Sequence, residues 1–371
     1  MAEQTAYKPG LDGVIATETK LSYLDVDAEE IVLRGYELIE LAENKQYLDL
    51  VQLLLQGVLP DDEQRSSLEQ ELKKDYDLPA DFISLFSKLP KETHPMDALR
   101  TGISALAGYE KNLEGRREEE ISKTALRLLA KIPNIVANSY HILHDEAVVE
   151  PKQELPYSTN FLYMITGKEP TQAEADYFDQ SLMVYSEHEM PNSTFAARVI
   201  ASTNADIYGA LTGAVASLKG NLHGGANEAV MHMLLQGETT DGFRRLLYEK
   251  LNNKEKIMGF GHRVYMKKMD PRAALMKEAF RALAVERKRE DLFEMCEAGE
   301  QLMKEEKGLY PNLDYYAAPV YYLLGIPIDL YTPIFFAART LGLCAHVSEQ
   351  YANNKLFRPR VLYTGPRGLH P

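Results

Sequence analysis

Four stretches of the chain set a titratable side chain beside a glycine- or proline-marked break. They are "YSEHEMPNST" with His188, "GNLHGGAN" with His223, "IMGFGHRVYMKKMDPRA" with His262 and "GLYPNLDYYAAP" with Asp314. A side chain at a helix terminus can project into a cleft while the backbone N–H groups around it stay free to bind a ligand. Inside a helix, the paired glycines Gly224 and Gly225 would each cost roughly 1 kcal/mol relative to alanine. Beside His223 they leave bare backbone against which a substrate can lie. Taken singly, each histidine reads as a surface residue or a satisfied cap. The four together point to a chemical site, although spacing alone does not name its reaction.

Metal ligation is one use for such groups, but no His-Glu-x-x-His pair occurs and neither Cys296 nor Cys344 has ligand-like spacing. No metal is expected. "GFGH" matches a fragment of a dinucleotide fingerprint, yet it lacks the third glycine and a preceding strand. Two readings from other classes stay beside the enzyme reading. One is a metal-dependent hydrolase using His188, His223, His262 and Asp314 as ligands. The other is a helical interaction protein with no chemistry.

The elements that must position these groups are mainly helical. Of the 371 residues, 45% are hydrophobic and 26% charged, an ordinary globular balance with length for two domains. "GVIATETKLSYLD" and "EEIVLRG" alternate polar and apolar residues around "DVDAEE", which predicts a small N-terminal β-hairpin. After Gly35 the helical period takes over. "YELIELAENKQYLDLVQLLLQG" reads as a helical run ended by Gly57 and Pro60. Later helices are separated by the breakers "LPKETHPMD", "KIPN", "VVEPKQELPY", "TGKEPT" and "HEMPNST". The stretch from Ser193 to Gly220 is rich in Ala, Ser, Thr and Gly, which suits a helix packed closely between others or across a subunit contact. No βαβ rhythm appears, so a doubly wound sheet is not expected.

The net charge of −14 argues against nucleic-acid binding, which rests on Lys and Arg neutralising phosphates. It leaves room for an anionic small ligand where cations gather, and "RVYMKKMDPR" holds Arg263, Lys267, Lys268 and Arg272 against Asp270 alone. The longest weakly polar stretch, Ala205 to Leu218, falls short of a membrane span of about 20 residues. With only two cysteines and no signal-peptide pattern at its start, the chain is expected to be cytoplasmic, without disulfides and without membrane contact.

The motifs "GNLHGGANEAV", "GFGHRVY…DPRA" and "YPNLDYYAAP", in this order, resemble the citrate synthase family. So do the opening "GLDGVIATETKLSYLD…LRGYELIELA" and the closing "FFAARTLGLCAHVSEQ…RPRVLYTGP", so the likeness covers nearly the whole chain. Within the family the chain is most similar to the 2-methylcitrate synthases of Bacillus type. The resemblance implies a mainly α, two-domain helical fold: a large dimer-forming domain of residues 1–222 and 319–371, and a small domain of residues 223–318 that closes over the substrates.

The activity it implies is condensation of an acyl-CoA with oxaloacetate, followed by thioester hydrolysis that releases CoA, with no cofactor. By the resemblance, Asp314 is the base that removes the proton next to the thioester carbonyl, and His223, as neutral imidazole, donates to the thioester oxygen. His262 supports the oxaloacetate ketone. His188, Arg272 and Arg339 hold oxaloacetate, with Arg358 reaching in from the partner of a homodimer. Arginine suits this task because its planar guanidinium grips a carboxylate bidentately. Ile257, Met258, Gly259, Phe260 and Gly261 resemble the family's adenine-recognition loop, and Lys267, Lys268 and Lys307 are candidate phosphate contacts. The seven residues between His262 and "DPR", a spacing shared with the Bacillus-type methylcitrate synthases, leave the individual lysine open. Ala317 and Ala318 follow Asp314 where a Ser–Gly pair is usual in citrate synthases, which suggests a wall that accepts propionyl-CoA as well as acetyl-CoA.

Overall fold

The computed structural model describes residues 7–11, 13–25, 28, 30–111, 113–220, 222–261 and 268–371. The alternation near the start produces strand β1 (Ser22–Asp25), antiparallel to β2 (Glu30–Leu33) with Ser22 opposite Leu33. Two details differ from expectation. Pairing begins at Ser22 rather than near Gly13, because residues 14–20 mostly lie exposed, with no face to bury. Tyr36–Glu37 also continues the sheet as β3, so the helical run starts at Leu38.

That run divides into α1 (Leu38–Asn44) and α2 (Tyr47–Gln56). The Gln46 N–H donates to Asp49 at 2.8 Å, which restarts the helix, and Gly57 ends it at φ 85°. Then come α3 (Asp62–Lys73), α4 (Ala80–Phe86) and α5 (Pro95–Leu106).

"KIPN" is no breaker: Pro133 lies inside α6 (Glu118–Leu143), a helix of 26 residues. Proline removes the N–H that would bond the carbonyl four residues back. Here that carbonyl, of Leu129, accepts the Tyr157 hydroxyl at 2.9 Å instead. The small-residue stretch is likewise two helices rather than one. It turns at Asn204 (φ 64°) between α9 (Asn192–Ala201) and α10 (Ile207–Leu218). The close approach is real, since a Cβ on Gly213 would overlap Ile200.

α7 (Tyr157–Thr166) and α8 (Gln172–Ser186) precede that pair. α11 (Ala226–Gly237), α12 (Thr240–Asn252), α13 (Pro271–Glu286), α14 (Glu290–Lys307) and α15 (Leu313–Leu323) follow it, and pack largely on one another. The last helix, α16 (Tyr331–Ala352), is buried at every position from Tyr331 to Val347 and packs against α6, α8 and α9. A helix apolar around most of its girth belongs in a core. The Arg339 and His346 side chains that it carries into that core therefore need polar partners. No helix among the described residues is long and apolar enough to cross a membrane.

Candidate active site

Asp314 stands in the first turn of α15, where the Asn312 side chain caps the helix by accepting the Asp314 N–H at 3.1 Å. Two other segments are tied to this helix start. Phe260 and Pro311 form a short antiparallel bridge, with Gly261 N–H on Tyr310 O (2.9 Å) and Asn312 N–H on Gly259 O (2.9 Å). Gly259 must be glycine: its φ is +87° and a Cβ there would lie 2.7 Å from Val230 and 2.9 Å from Tyr315. The third segment is the start of α13. Asp270 caps that helix, with Pro271 at its first position, and also accepts the Leu313 N–H at 3.3 Å.

Burial raises the pKa of Asp314 above the ordinary carboxylate value. A hydrogen bond from Tyr185 and the charges of Arg272 and Arg339 pull against that rise, while Asp270 adds to it. The Tyr185 hydroxyl donates to Asp314 Oδ1 at 2.7 Å, and Tyr185 itself is 1% exposed, wedged by Phe335 and Tyr321. A carboxylate with a raised pKa is a stronger base once deprotonated. A base acts when deprotonated, so if Asp314 serves as one, activity should fall as pH drops through its pKa. Tyr185→Phe removes a contact that favours the charged form, so the acid limb of the kcat/KM profile is expected to move to higher pH. A pH–rate comparison with the parent protein checks this.

His223 lies between α10 and α11. Its Nε2 accepts the Ser193 backbone N–H at 3.2 Å and lies 2.9 Å from the Ser193 hydroxyl. A ring nitrogen that accepts a backbone N–H cannot carry a proton, so the ring proton sits on Nδ1. Burial, reinforced by the Arg339 charge, pushes the His223 pKa down to about 4. The imidazole is therefore neutral at physiological pH and is an Nδ1–H donor. The two neighbouring glycines play different parts. Gly224 packs inward, its N–H on Leu218 O at 2.9 Å, where a Cβ would approach that oxygen to 2.5 Å. Gly225 faces open space at the start of α11.

Two of the three expected arginines are buried here. Arg272 is 5% exposed and grips Asp270 twice, Nε on Oδ1 at 3.0 Å and Nη2 on Oδ2 at 2.8 Å. Arg339 is 2% exposed; its Nε donates to Tyr185 O at 2.6 Å and its guanidinium lies over the Phe335 ring at 4.9 Å. Burial lowers the Arg339 pKa to about 10, so it stays charged at neutral pH. Its charge acts on His223 and on Asp314, and Arg272 acts on it in turn. The Asp314 carboxylate, the His223 imidazole and two guanidinium groups thus share one electrostatic neighbourhood, brought from four separate segments of the chain.

The other expected residues fall in several places. His188 is half-buried on the loop that follows α8. His262 and Lys267 lie outside the described residues. Ile257, Met258, Gly259, Phe260 and Gly261 form the loop bridged to the start of α15, with Phe260 4.4 Å from the Tyr315 ring. Lys268 donates to Ala28 O at 3.0 Å, and Lys307 is exposed in the last turn of α14. Arg358 is exposed on the C-terminal tail, on a groove it lines with Phe195 and Arg198. Among the described residues no three His, Cys, Asp or Glu side chains gather as a metal-ligand set.

Sequence reasoning missed Tyr185 and Ser193 and saw Asp270 only as an anchor. Asp270 had a usable signal, since Asp followed by Pro is a helix-start pattern. Tyr185 had none: its contact with Asp314 spans 129 positions.

The profile described as "Citrate synthase, C-terminal domain" matches residues 10–360. The citrate synthase of Heyndrickxia coagulans is 63% identical over 369 residues, covering 100% of this chain and 99% of that one. The citrate/2-methylcitrate synthase of Bacillus subtilis strain 168 is 63% identical over 367 residues, covering 99% of each. Among solved structures, the ternary complex of carboxymethyl coenzyme A and oxaloacetate with the Thermoplasma acidophilum citrate synthase superposes with a TM-score of 0.91 at 30% identity, over 98% of this chain and 97% of that one.

Proposed function

The chain belongs to the citrate synthase family and is a condensing enzyme acting on an acyl-CoA and oxaloacetate, and on that premise we propose that it accepts propionyl-CoA as well as acetyl-CoA, making 2-methylcitrate and citrate. The observation that carries the catalytic reading is the pairing of a raised carboxylate, Asp314, with a neutral Nδ1–H donor, His223, under the same Arg339 charge.

In this reading Asp314 takes a proton from the carbon next to the thioester. The electron pair moves onto the thioester oxygen, where His223 Nδ1–H stabilises the enolate. The enolate carbon attacks the oxaloacetate ketone, forming the new carbon–carbon bond, and His262 supports the resulting alkoxide. Arg272, Arg339 and His188 hold the oxaloacetate carboxylates, with Arg358 supplied by the partner of a homodimer. Water then cleaves the thioester and CoA leaves as the thiol. A dimer suits the exposed tail that carries Leu356, Val361 and Leu362, and a groove of about 1540 Å³ lined by Phe195, Arg198 and Phe357. Helices α11–α14 and the first half of α15, which pack largely on each other, are the small closing domain of residues 223–318 in this scheme.

Acyl selectivity rests on the surroundings of Asp314. Ala317 and Ala318 lie three and four positions further along α15, one turn from the base, and both are fully buried. Against the Ser–Gly pair usual there, two methyl groups make the wall more apolar, which favours the extra methylene of a propionyl tail. One methylene changes binding by only about 1–3 kcal/mol, so both thioesters should be turned over within roughly a hundredfold of each other in kcat/KM. Thiol release should require oxaloacetate and survive a chelator. A preference for acetyl-CoA above that range removes the methylcitrate activity, and release without oxaloacetate removes the condensing reaction itself.

A further inference from the structure

Glu187 is an acid with no exposure to water, and the mechanism above gives it no part. It ends α8 immediately before His188. Its Oε1 accepts the Ser22 hydroxyl at 2.8 Å and lies 3.0 Å from His346 Nε2, which is also fully buried. The Ser22 hydroxyl oxygen in turn accepts the Glu189 N–H at 3.2 Å. Ser22 therefore fastens both neighbours of His188, and Glu189 is held at φ 59°, a backbone state that non-glycine residues seldom adopt.

The other oxygen of Glu187 points at α16. A Cβ on Gly342 would overlap Glu187 Oε2 and come within 2.6 Å of Ser186 O. The helix that carries Arg339 thus passes directly against this carboxylate. Five groups act on Glu187: Ser22 from the sheet, His346 and Arg339 from α16, Arg198 from α9, and, as a repelling charge, the Glu189 carboxylate. Among the charges acting on buried Arg339, that of Glu187 is the largest favourable one. A buried anion is retained only where paired charges and hydrogen bonds offset its desolvation, so this one is held in a single place.

We infer that Glu187, fastened by Ser22 and His346, is a positioning residue for the oxaloacetate half of the reaction: it fixes the turn bearing His188 and holds the Arg339 guanidinium, without touching substrate. The inference rests on the reading of His188 and Arg339 as oxaloacetate contacts. It predicts a split between the two substrates, because Ser22, Glu187 and His346 bond to one another and to Glu189 and none of those bonds reaches the 257–261 loop.

The test measures KM for oxaloacetate and for acyl-CoA in Glu187→Gln, Ser22→Ala and His188→Ala, with thermal melts alongside. Glu187→Gln keeps the shape and removes the charge; Ser22→Ala removes the fastening of Glu189. Both should raise oxaloacetate KM, about tenfold for Glu187→Gln and less for Ser22→Ala, with acyl-CoA KM changed less than about twofold. A parallel rise in both KM values, or no change in either, in variants that still melt cooperatively, overturns the inference. His188→Ala separates the two possible failures. If it raises oxaloacetate KM while Glu187→Gln and Ser22→Ala do not, the positioning role falls alone. If none of the three raises it, the oxaloacetate assignment falls and the positioning role with it.

Discussion

Asp314→Asn should lower kcat by about a thousandfold, since a positioned general base contributes roughly 10²–10⁴ to a proton transfer. Asparagine keeps the size and can still meet the Tyr185 hydroxyl, whose donor reaches Oδ1 at 2.7 Å. It can also still follow the Asn312 cap, which holds the backbone rather than the side chain. What it loses is the capacity to accept a proton. Oxaloacetate KM is therefore expected within about threefold of the parent value, a pattern that marks an interaction made only in the transition state. Steady-state kinetics on both thioesters checks the result. A kcat within tenfold of the parent enzyme would remove Asp314 from the base role.

His223→Ala comes next in size. Removing one donor from a developing oxyanion typically costs about 10²–10³ in kcat. The His223 ring enters the site already oriented, because the Ser193 N–H at 3.2 Å fixes Nε2 as the acceptor and leaves the proton on Nδ1. With its pKa near 4, the ring does not titrate between pH 6 and 8. The parent enzyme's acid limb should consequently belong to Asp314, and His223→Ala should lower the whole pH–rate profile without moving that limb. If the limb disappears in His223→Ala, the assignment of donor and base is reversed.

The placement of the candidate residues was legible in the sequence to the extent that chain breaks mark it. His223 and Asp314 were found because glycines and a proline set them at helix ends, and the structure keeps them there. Where local signals misled, a distant partner was responsible. Pro133 reads as a stop, yet the Leu129 carbonyl it leaves unbonded is satisfied by Tyr157, 28 positions away. The stretch after Ser193 reads as one helix because small residues carry little turn information, and the break appears at Asn204 and at Asp206, which caps α10 through the Gly209 N–H. The residues that support the site are harder still. Tyr185, Ser193 and Glu187 sit in ordinary-looking helical or loop sequence, and their roles come from contacts across 30 to 165 positions.

The double attachment of Asp270 has a mechanical consequence. One carboxylate receives the Arg272 guanidinium and the Leu313 N–H, while the 257–261 loop is laced to residues 310–312 by main-chain bonds. Asp314, Arg272 and that loop are thereby riveted into one block. Thermal drift displaces them together, so their mutual spacing survives any rocking of the surrounding helices. The Tyr185 hydroxyl on Asp314, at 2.7 Å, ties that spacing to α8 as well.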